Sequence, residues 1–366
     1  MNKKVLITGG AGFIGSHVAD EFLQHGYHVR ALDNLSLLTE RCGLKQAARP
    51  VHLDPEVELI VGDIRDPETV GRALKGVDAV CHLASAVGAN QSMYQLGAYT
   101  SINTLGTAVL LDALVHHPVE RLVVGSSQIV YGEGMYASPN GAPIHVSERS
   151  PCQLQAGEWE VRGENGEALT PIPTTETKPL SLTSIYALSK FDQENMCLMM
   201  GRCYGLPTVV LRVFNVYGPR QILLNPYVGV VSVFASRMIN NNAPVIYEDG
   251  QQLRDFISVH DVAHAFLLAL EKEAAPDHIF NIGSGEPTSI RSVAVRLALA
   301  LGKDHIKLRM AGKHRPYDVR HCFADISQAT RLLGYEPRVS LDRGLSEIAS
   351  WLESQVPYDK LEVAND

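Results

Sequence analysis

Short apolar runs, separated by turn residues, recur through the first half of the chain. Lys4–Thr8 (KVLIT), Tyr27–Leu32, Glu58–Val61 (ELIV), Ala79–Leu83 (AVCHL) and Arg121–Gly125 (RLVVG) each have strand length. Between them lie stretches with helical period, Phe13–His25, 67–75 and 98–116. Buried strands alternating with helices predict parallel pairing through right-handed crossovers, and so an α/β fold with a doubly wound parallel sheet. The pattern resumes with a helix over Tyr186–Cys203, a strand over Thr208–Val213 (TVVLRV) and a helix over Asp261–Glu273.

Two regions break this rhythm. Residues 135–181 are rich in Pro, Gly, Glu and Thr and read as a long surface insertion, not a domain. Residues 219–254 and 284–366 mix short helices with Arg- and Pro-rich turns. The expected division is therefore an α/β unit over 1–218 with 255–283, carrying the 135–181 insertion, and a smaller mixed C-terminal lobe over 219–254 with 284–366.

Bulk properties narrow the partners. The 366 residues carry a net charge of −8 with no Lys/Arg run, which argues against nucleic acid and anionic membrane. No unbroken apolar run reaches the ~18 residues needed to span a bilayer. MNKKVLITGG leads straight into a strand, so it does not read as a signal peptide, and a cytoplasmic location is expected. The six cysteines are scattered without a Cys-x-x-Cys pair, as expected of reduced thiols.

The first chemical signal is Thr8–Gly15, TGGAGFIG, which satisfies both G-x-G-x-x-G and G-x-x-G-x-x-G between a strand and a helix. Glycines there let backbone N–H groups reach a pyrophosphate at a helix N-terminus, where the helix dipole favours negative charge. This context makes the predicted sheet Rossmann-type. Asp33 ends the second strand, placed to accept hydrogen bonds from ribose hydroxyls and to repel a 2′-phosphate. With no arginine at 33 or 34, NAD is expected rather than NADP. Asp63 either meets the adenine amino group or caps the helix starting at Pro67.

The second signal is YALSK, with Tyr186 and Lys190 four residues apart and so on one helical face. A tyrosine of pKa ~10 becomes a base near neutrality only after a shift of about 3 units. A nearby ammonium group and a cationic nicotinamide both favour phenolate. Ser127, at the end of the fifth strand, is placed to share a substrate hydroxyl.

TGGAGFIG, Asp33, HLAS (82–85), NTLGT (103–107), SSQIVYG (126–132), YALSK (186–190), RVFNVYGPR (212–220), RDFISVHDVA (254–263) and HRPYDVRHCFADIS (314–327) occur in that order. Together they resemble the extended short-chain dehydrogenase/reductase family of nucleotide-sugar epimerases and dehydratases. The resemblance implies a pyrophosphate loop at Gly9, Gly12, Phe13, Ile14 and Gly15, ribose contacts at Asp33 and Asn34, and adenine contacts at Asp63 and Ile64. It implies a nicotinamide-side loop at Leu83 and Ala84 and a structural asparagine, Asn103, counted with the cofactor contacts. Ser127, Tyr186 and Lys190 match the catalytic triad. Asn215, Arg254 and Arg315 match positions that bind the diphosphate of a nucleotide-diphosphate sugar, and Asp318 matches a residue near its nucleoside. Spacing alone leaves Arg254 and Arg315 equally readable as solvated surface charges.

Dehydratases of this family carry an Asp-Glu pair directly after the hydroxyl residue; here those places hold Gln128 and Ile129. Elimination is therefore not expected, and the resemblance implies epimerisation at C4 by transient oxidation with bound NAD. The insertion and FNVYGPRQILLNPYVGVVSVFASR are similar to bacterial dTDP-L-rhamnose 4-epimerases, which makes a dTDP-sugar the expected substrate and a UDP-glucose/galactose pair the alternative. Some relatives have a cysteine pair where VRGENGEALT has none, so no zinc knuckle is expected. Tyr317 stands in place of a family glycine. A net NAD(P)H-dependent 4-keto-sugar reductase and a non-catalytic NAD sensor are the readings from other classes. A homodimer through helices 98–116 and 186–203 is expected by resemblance, although their apolar faces read equally as core. His82 reads as a core histidine, His260 and His264 as a helix surface without a third metal ligand, and Trp159 as either packing its loop or lining the site.

Overall fold

A computed structural model describes residues 3–36, 49–146, 148–221, 229–315 and 318–354; Cys42 and Tyr317 lie outside the described residues. Strands β1 (Lys4–Thr8), β2 (His28–Asp33), β3 (Glu58–Val61), β4 (Ala79–His82), β5 (Arg121–Ser127), β9 (Thr208–Val213) and β13 (Ile279–Ile282) form one sheet. Their order is β13-β9-β5-β4-β1-β2-β3, and every pair is parallel. The direction of winding reverses between β1 and β4, which opens a crevice at the C-terminal ends of these strands.

Alternate strand residues feed two cores. Val5, Ile7, Cys81, Val123 and Leu211 pack with α1 (Phe13–Gln24) and α6 (Val259–Glu271). Leu6, Val80, Leu122, Val124 and Val210 pack with α2 (Pro67–Leu74), α3 (Leu96–His116) and α4 (Ile185–Tyr204). With helices on both faces the strands read as continuous apolar runs rather than as alternating ones. Each fully buried aliphatic side chain contributes about 1.5–3 kcal/mol. β5 runs past its apolar stretch through Ser126 and Ser127, which carries Ser127 to the crevice.

Helix α3 departs from expectation in two ways. Its 21 residues are long and apolar enough, by length and composition, to cross a bilayer. In the fold, Leu110, Leu111 and Leu114 are buried in the second core, together with the polar Asn103 and Thr107. Its residues Thr100–Leu105 form a π-helical stretch.

The insertion is more ordered than a surface loop. β6 (Met135–Ala137) pairs antiparallel with β7 (Pro143–Ile144) and β8 (Thr170–Ile172), over a small core of Tyr136, Val161 and Leu169. At the base of the insertion Glu133 is buried and accepts hydrogen bonds from the Arg320 and His321 amides. Burial pushes the Glu133 carboxyl up to about 7, against the pull of those amides and of Arg149. The folded state therefore binds the proton more tightly than the unfolded one. The stability contributed is full below about pH 4.5 and is lost as pH rises through about 7. In urea unfolding at pH 5 and 7, Glu133→Gln is expected to remove this part of the wild-type pH dependence; an identical pH dependence in the variant would refute the assignment.

A second, mixed sheet draws its strands from both of the expected units. β12 (Leu253–Ser258) lies parallel to β10 (Asn215–Tyr217) and β16 (His321–Cys322) and antiparallel to β14 (Pro287–Ser289). β11 (Val245–Ile246) pairs with β15 (Arg309–Met310). Phe234, Met238, Phe256, Leu297, Leu345 and Ile348 form a third core joining α5 (Val230–Ile239), α7 (Ile290–Ala300) and α9 (Leu341–Ser354). Leu333 of α8 (Ser327–Leu333) returns to the first core. The five described cysteines are free thiols.

Candidate active site

The glycine turn between β1 and α1 is packed against its neighbours. Gly9 has φ +72°, and a Cβ there would lie 2.9 Å from the Ala84 amide. A Cβ on Gly15 would lie 2.2 Å from the Gly9 carbonyl. Only glycine lets these two backbone segments touch. Gly12 is the N-cap of α1 without a side-chain cap, and no acidic residue stands in the first turn. Phe13 and Ile14 thus begin a helix whose N-terminal dipole no side chain of its own neutralises.

Asp33 stands beside this turn at the end of β2. Its carboxylate accepts hydrogen bonds from Ala11 N (3.1 Å) and Leu35 N (2.9 Å), and burial raises its pKa while those amides lower it. Asn34 is exposed next to it. Asp63 accepts three hydrogen bonds from Arg65, which holds its carboxyl down at about 2. The capping alternative for Asp63 is wrong: Asp66 is the N-cap of α2 and accepts from Glu68 N. Ile64 is buried against Gly106 in the second core.

Across the crevice, Thr8 Oγ1 accepts from both Leu83 N and Ala84 N at 3.2 Å, fixing the loop after β4. His82 is the core histidine expected. Its Nδ1 meets Thr8 Oγ1 at 2.7 Å and its Nε2 meets Thr107 Oγ1 at 2.9 Å. Asn103, grouped above with the cofactor contacts, has a different use. It is fully buried, takes Ala86 N at 2.7 Å, and donates to Ala86 O at 3.1 Å and to Ser189 Oγ at 2.8 Å. The side chain ties the β4 loop to helix α4, and its hydrogen-bonding groups are spent on that.

Ser127 does two jobs at once. Its Oγ accepts from Ile129 N and so caps the short 3₁₀ helix Gln128–Tyr131, and it lies close enough to the Tyr186 phenol to act on its ionisation. Burial pushes that phenol up to about 12, and the Ser127 contact pulls it back. Lys190 donates to Gly125 O (2.5 Å) and Gln193 Oε1 (2.9 Å), and burial lowers its pKa to about 8. Lys190 is spent on these two acceptors and is not among the groups that shift the phenol, so the expected push toward phenolate is not found, and burial dominates. Tyr99 packs edge-on against Tyr186 with centroids 6.2 Å apart.

Ser92 escaped the sequence reading. It is fully buried, donates to Ala89 O at 2.5 Å and accepts from Tyr186 N at 3.0 Å, so it satisfies an amide in the first turn of α4. Ser184, the N-cap, satisfies Ala187 N. No local motif marks Ser92, because its partner lies 94 residues away.

The second lobe supplies the remaining positions. Arg254 is buried, so its reading as a solvated charge fails. Its Nη1 donates to Leu253 O and Arg320 O, and its Nη2 to Asp318 Oδ1 (2.9 Å) and Val319 O. Both terminal nitrogens are engaged within the protein, not held open as a phosphate fork. Arg315 lies over the Tyr247 ring, 4.0 Å from its centroid. Asn215, paired with Phe256 of β12, has a buried Oδ1 without a hydrogen-bond partner. His260 and His264 turn to separate carboxylates, Glu347 at 2.7 Å and Glu21 at 2.8 Å.

These residues fit a dinucleotide: the glycine cradle is one that a Cβ would fill, the helix start is uncapped, and a carboxylate ends β2. If Asp33 holds the ribose, Asp33→Ala weakens NAD binding at least about tenfold, since hydrogen bonds to a charged group are worth about 1.5–3 kcal/mol. Calorimetry on cofactor-stripped protein measures this, and an unchanged affinity would remove the contact.

Comparison with known proteins agrees with the geometry. The family described as "NAD dependent epimerase/dehydratase family" matches residues 5–283. The chain is 34% identical over 362 residues to a dTDP-L-rhamnose 4-epimerase of Burkholderia thailandensis, covering 97% of this chain and 96% of that one. It superposes on the UDP-glucose 4-epimerase of Thermotoga maritima, solved with UDP-glucose, with TM-score 0.77, 30% identity and coverage of 96% and 98%. It superposes on the Thermus thermophilus UDP-glucose 4-epimerase, solved with NAD, with TM-score 0.75, 30% identity and coverage of 96% and 100%. A glycine turn that only glycine can form, a tyrosine and a lysine one turn apart on a helix packed on β5, and a family match across most of the chain agree, and this protein belongs to the NAD-dependent epimerase/dehydratase family.

Proposed function

We propose that the protein is a nucleotide-sugar 4-epimerase that inverts C4 of a dTDP-sugar, with dTDP-L-rhamnose and dTDP-6-deoxy-L-talose as the expected pair. One observation carries this reading. Ser127 is followed in the chain by Gln128 and Ile129, which hold no acid or base for expelling water. Tyr186 takes the proton of the C4 hydroxyl and later returns one, while Ser127 hydrogen-bonds the reacting oxygens. Lys190, buried beside them, keeps a positive charge near the developing phenolate. When bound at the glycine turn, NAD supplies a reversible hydride acceptor. The sugar must offer each face in turn, so its fixed end lies elsewhere, toward Asn215, Arg315 and Asp318, with Arg254 holding the Asp318 carboxylate and not itself gripping the diphosphate. The orphaned Asn215 Oδ1 supports a polar ligand atom there.

Similarity to the Burkholderia enzyme supports a dTDP-sugar, and similarity to the Thermotoga enzyme supports a UDP-glucose/galactose pair as the second reading. Proton NMR on a panel of dTDP- and UDP-sugars decides. Inversion at C4 with no net absorbance change at about 340 nm is expected; loss of water or CO2, or net reduction, would overturn the reading. Exposed Leu105, Leu188 and Met199 on α3 and α4 support a homodimer through these helices, which sedimentation tests.

A further inference from the structure

The insertion and the second lobe meet through one chain of charges, in which the arginines and Glu248 are buried and Glu160, Asp249 and Asp318 are partly exposed. The Arg149 side chain is 4% exposed. Its Nη1 donates to Trp159 O (2.9 Å) and pairs with Glu248 (2.8 Å), and its Nη2 donates to Asp318 O (3.0 Å). One guanidinium therefore joins the insertion to both Glu248 and Asp318. The Asp318 carboxylate in turn meets Arg254 at 2.9 Å. Glu160, directly after Trp159, accepts from Arg320 Nε and His321 Nε2 at 3.0 Å each. Arg320 is fully buried and also holds Glu248 (2.8 Å) and Asp249 (2.7 Å).

Removing buried charges from water is costly, and such a network offsets that cost only when every member keeps its partner. It therefore holds one geometry. What it fixes is a set of flat faces. The Trp159 ring stands 6.5 Å from His314. Arg315, the next residue, stacks on Tyr247. Glu248, following Tyr247, has φ +52°, an unfavourable backbone for a side-chain-bearing residue that the Arg149 and Arg320 ion pairs hold. Indole and phenol faces beside arginines suit a planar base attached to a diphosphate.

We propose that the insertion is part of the binding site for the nucleoside diphosphate half of the substrate. Arg149 is the positioning residue that locks Asp318 and Glu248, and Trp159 forms a wall against which a pyrimidine base packs. The inference rests on the nucleotide-sugar reading above and adds the insertion to it.

The test uses dTDP and UDP alone, added to the purified enzyme with its resident NAD, so that turnover plays no part. The chain has two tryptophans, Trp159 and Trp351, and Trp351 packs on the third core. In Trp351→Phe, dTDP or UDP is expected to change the remaining indole fluorescence. In Trp159→Ala that change disappears, and calorimetry shows affinity about tenfold or more weaker, as for loss of one base–aromatic stack. Arg149→Lys keeps the charge but cannot bridge three partners, and it is expected to weaken binding by a similar factor. Because Trp159 is partly exposed, its variant decides the matter even if the Arg149 variant does not fold. Wild-type protein that binds neither diphosphate overturns the nucleotide-sugar reading and this inference with it. Wild-type binding with Trp159→Ala affinity within about twofold, or no fluorescence change in Trp351→Phe, overturns the inference alone.

Discussion

Replacing Tyr186 with phenylalanine leaves a folded protein that still carries NAD and epimerises about a thousandfold more slowly, within the range lost with a general acid–base group. The substitution removes one oxygen. The edge-on packing against Tyr99 stays, and so does the bond from Ser92, which is made to the Tyr186 backbone. Ser127 loses its phenol neighbour and keeps its capping bond to Ile129 N. Because burial holds the phenol protonated, at about 12, the base form grows with pH. Wild-type kcat/KM is therefore expected to rise from about pH 6 to about pH 8, and the residual activity of the variant lacks this limb. NMR of the turnover and absorbance of cofactor released on denaturation give both readouts. More than about a tenth of wild-type activity in the variant would sink the base assignment.

The largest expected loss of stability comes from Arg212→Met. Arg212 on β9 and Glu194 on α4 are both almost fully buried and make a two-pronged ion pair. Arg212 also donates to Tyr131 Oη (3.0 Å) and Glu176 O (3.2 Å). Methionine fills much of the volume but leaves the Glu194 carboxylate with only the Ser126 hydroxyl. Breaking such a pair from one side costs about 3–5 kcal/mol, a large part of the 5–15 kcal/mol of a typical domain. The double variant Arg212→Met/Glu194→Leu is expected to recover much of this, because no charge is then stranded. Urea unfolding measures both; a single-variant loss below about 1 kcal/mol would show that water reaches the site. Glu194 sits on the helix that carries Tyr186 and Lys190, so the single variant is also expected to turn over more slowly.

What could be read from the chain was what short-range geometry dictates. β1, β4, β5 and β9 were visible because both of their faces are covered, leaving unbroken apolar runs. The glycine turn and Asp33 were visible because strand, turn and helix follow one another within 33 residues. Asp66 is within reach of the same reasoning, since an aspartate just before a proline at a helix start is a cap. The order in the insertion was not readable. It depends on ion pairs between residues 160 and more apart, such as Glu160 with Arg320, and no local pattern announces them. Arg254 shows the same limit. An arginine in a polar stretch reads as solvated or ligand-facing, whereas in the fold neighbouring carbonyls and Asp318 surround it. The end of β5 was cut two residues early because Ser126 looks like a turn residue until Glu194, 68 positions on, is seen to bind it.

The widened turn at Thr100–Leu105 has a consequence for evolution by insertion and deletion. Within it, Asn103 reaches the loop that follows β4; beyond it, Thr107 meets His82 and Leu110 enters the core. A regular α-helix advances about 100° per residue. A π stretch takes up one residue more than ordinary winding over the same turn, so losing one residue here would relax the backbone to an α-helix while the halves of α3 on either side keep their facing, and only the contacts made from within the stretch, those of Asn103, would be put at risk. The stretch acts as a local absorber of length, and a shortened lineage would be expected to keep the Thr107 and Leu110 packing and to lose the tie that Asn103 makes to the loop after β4.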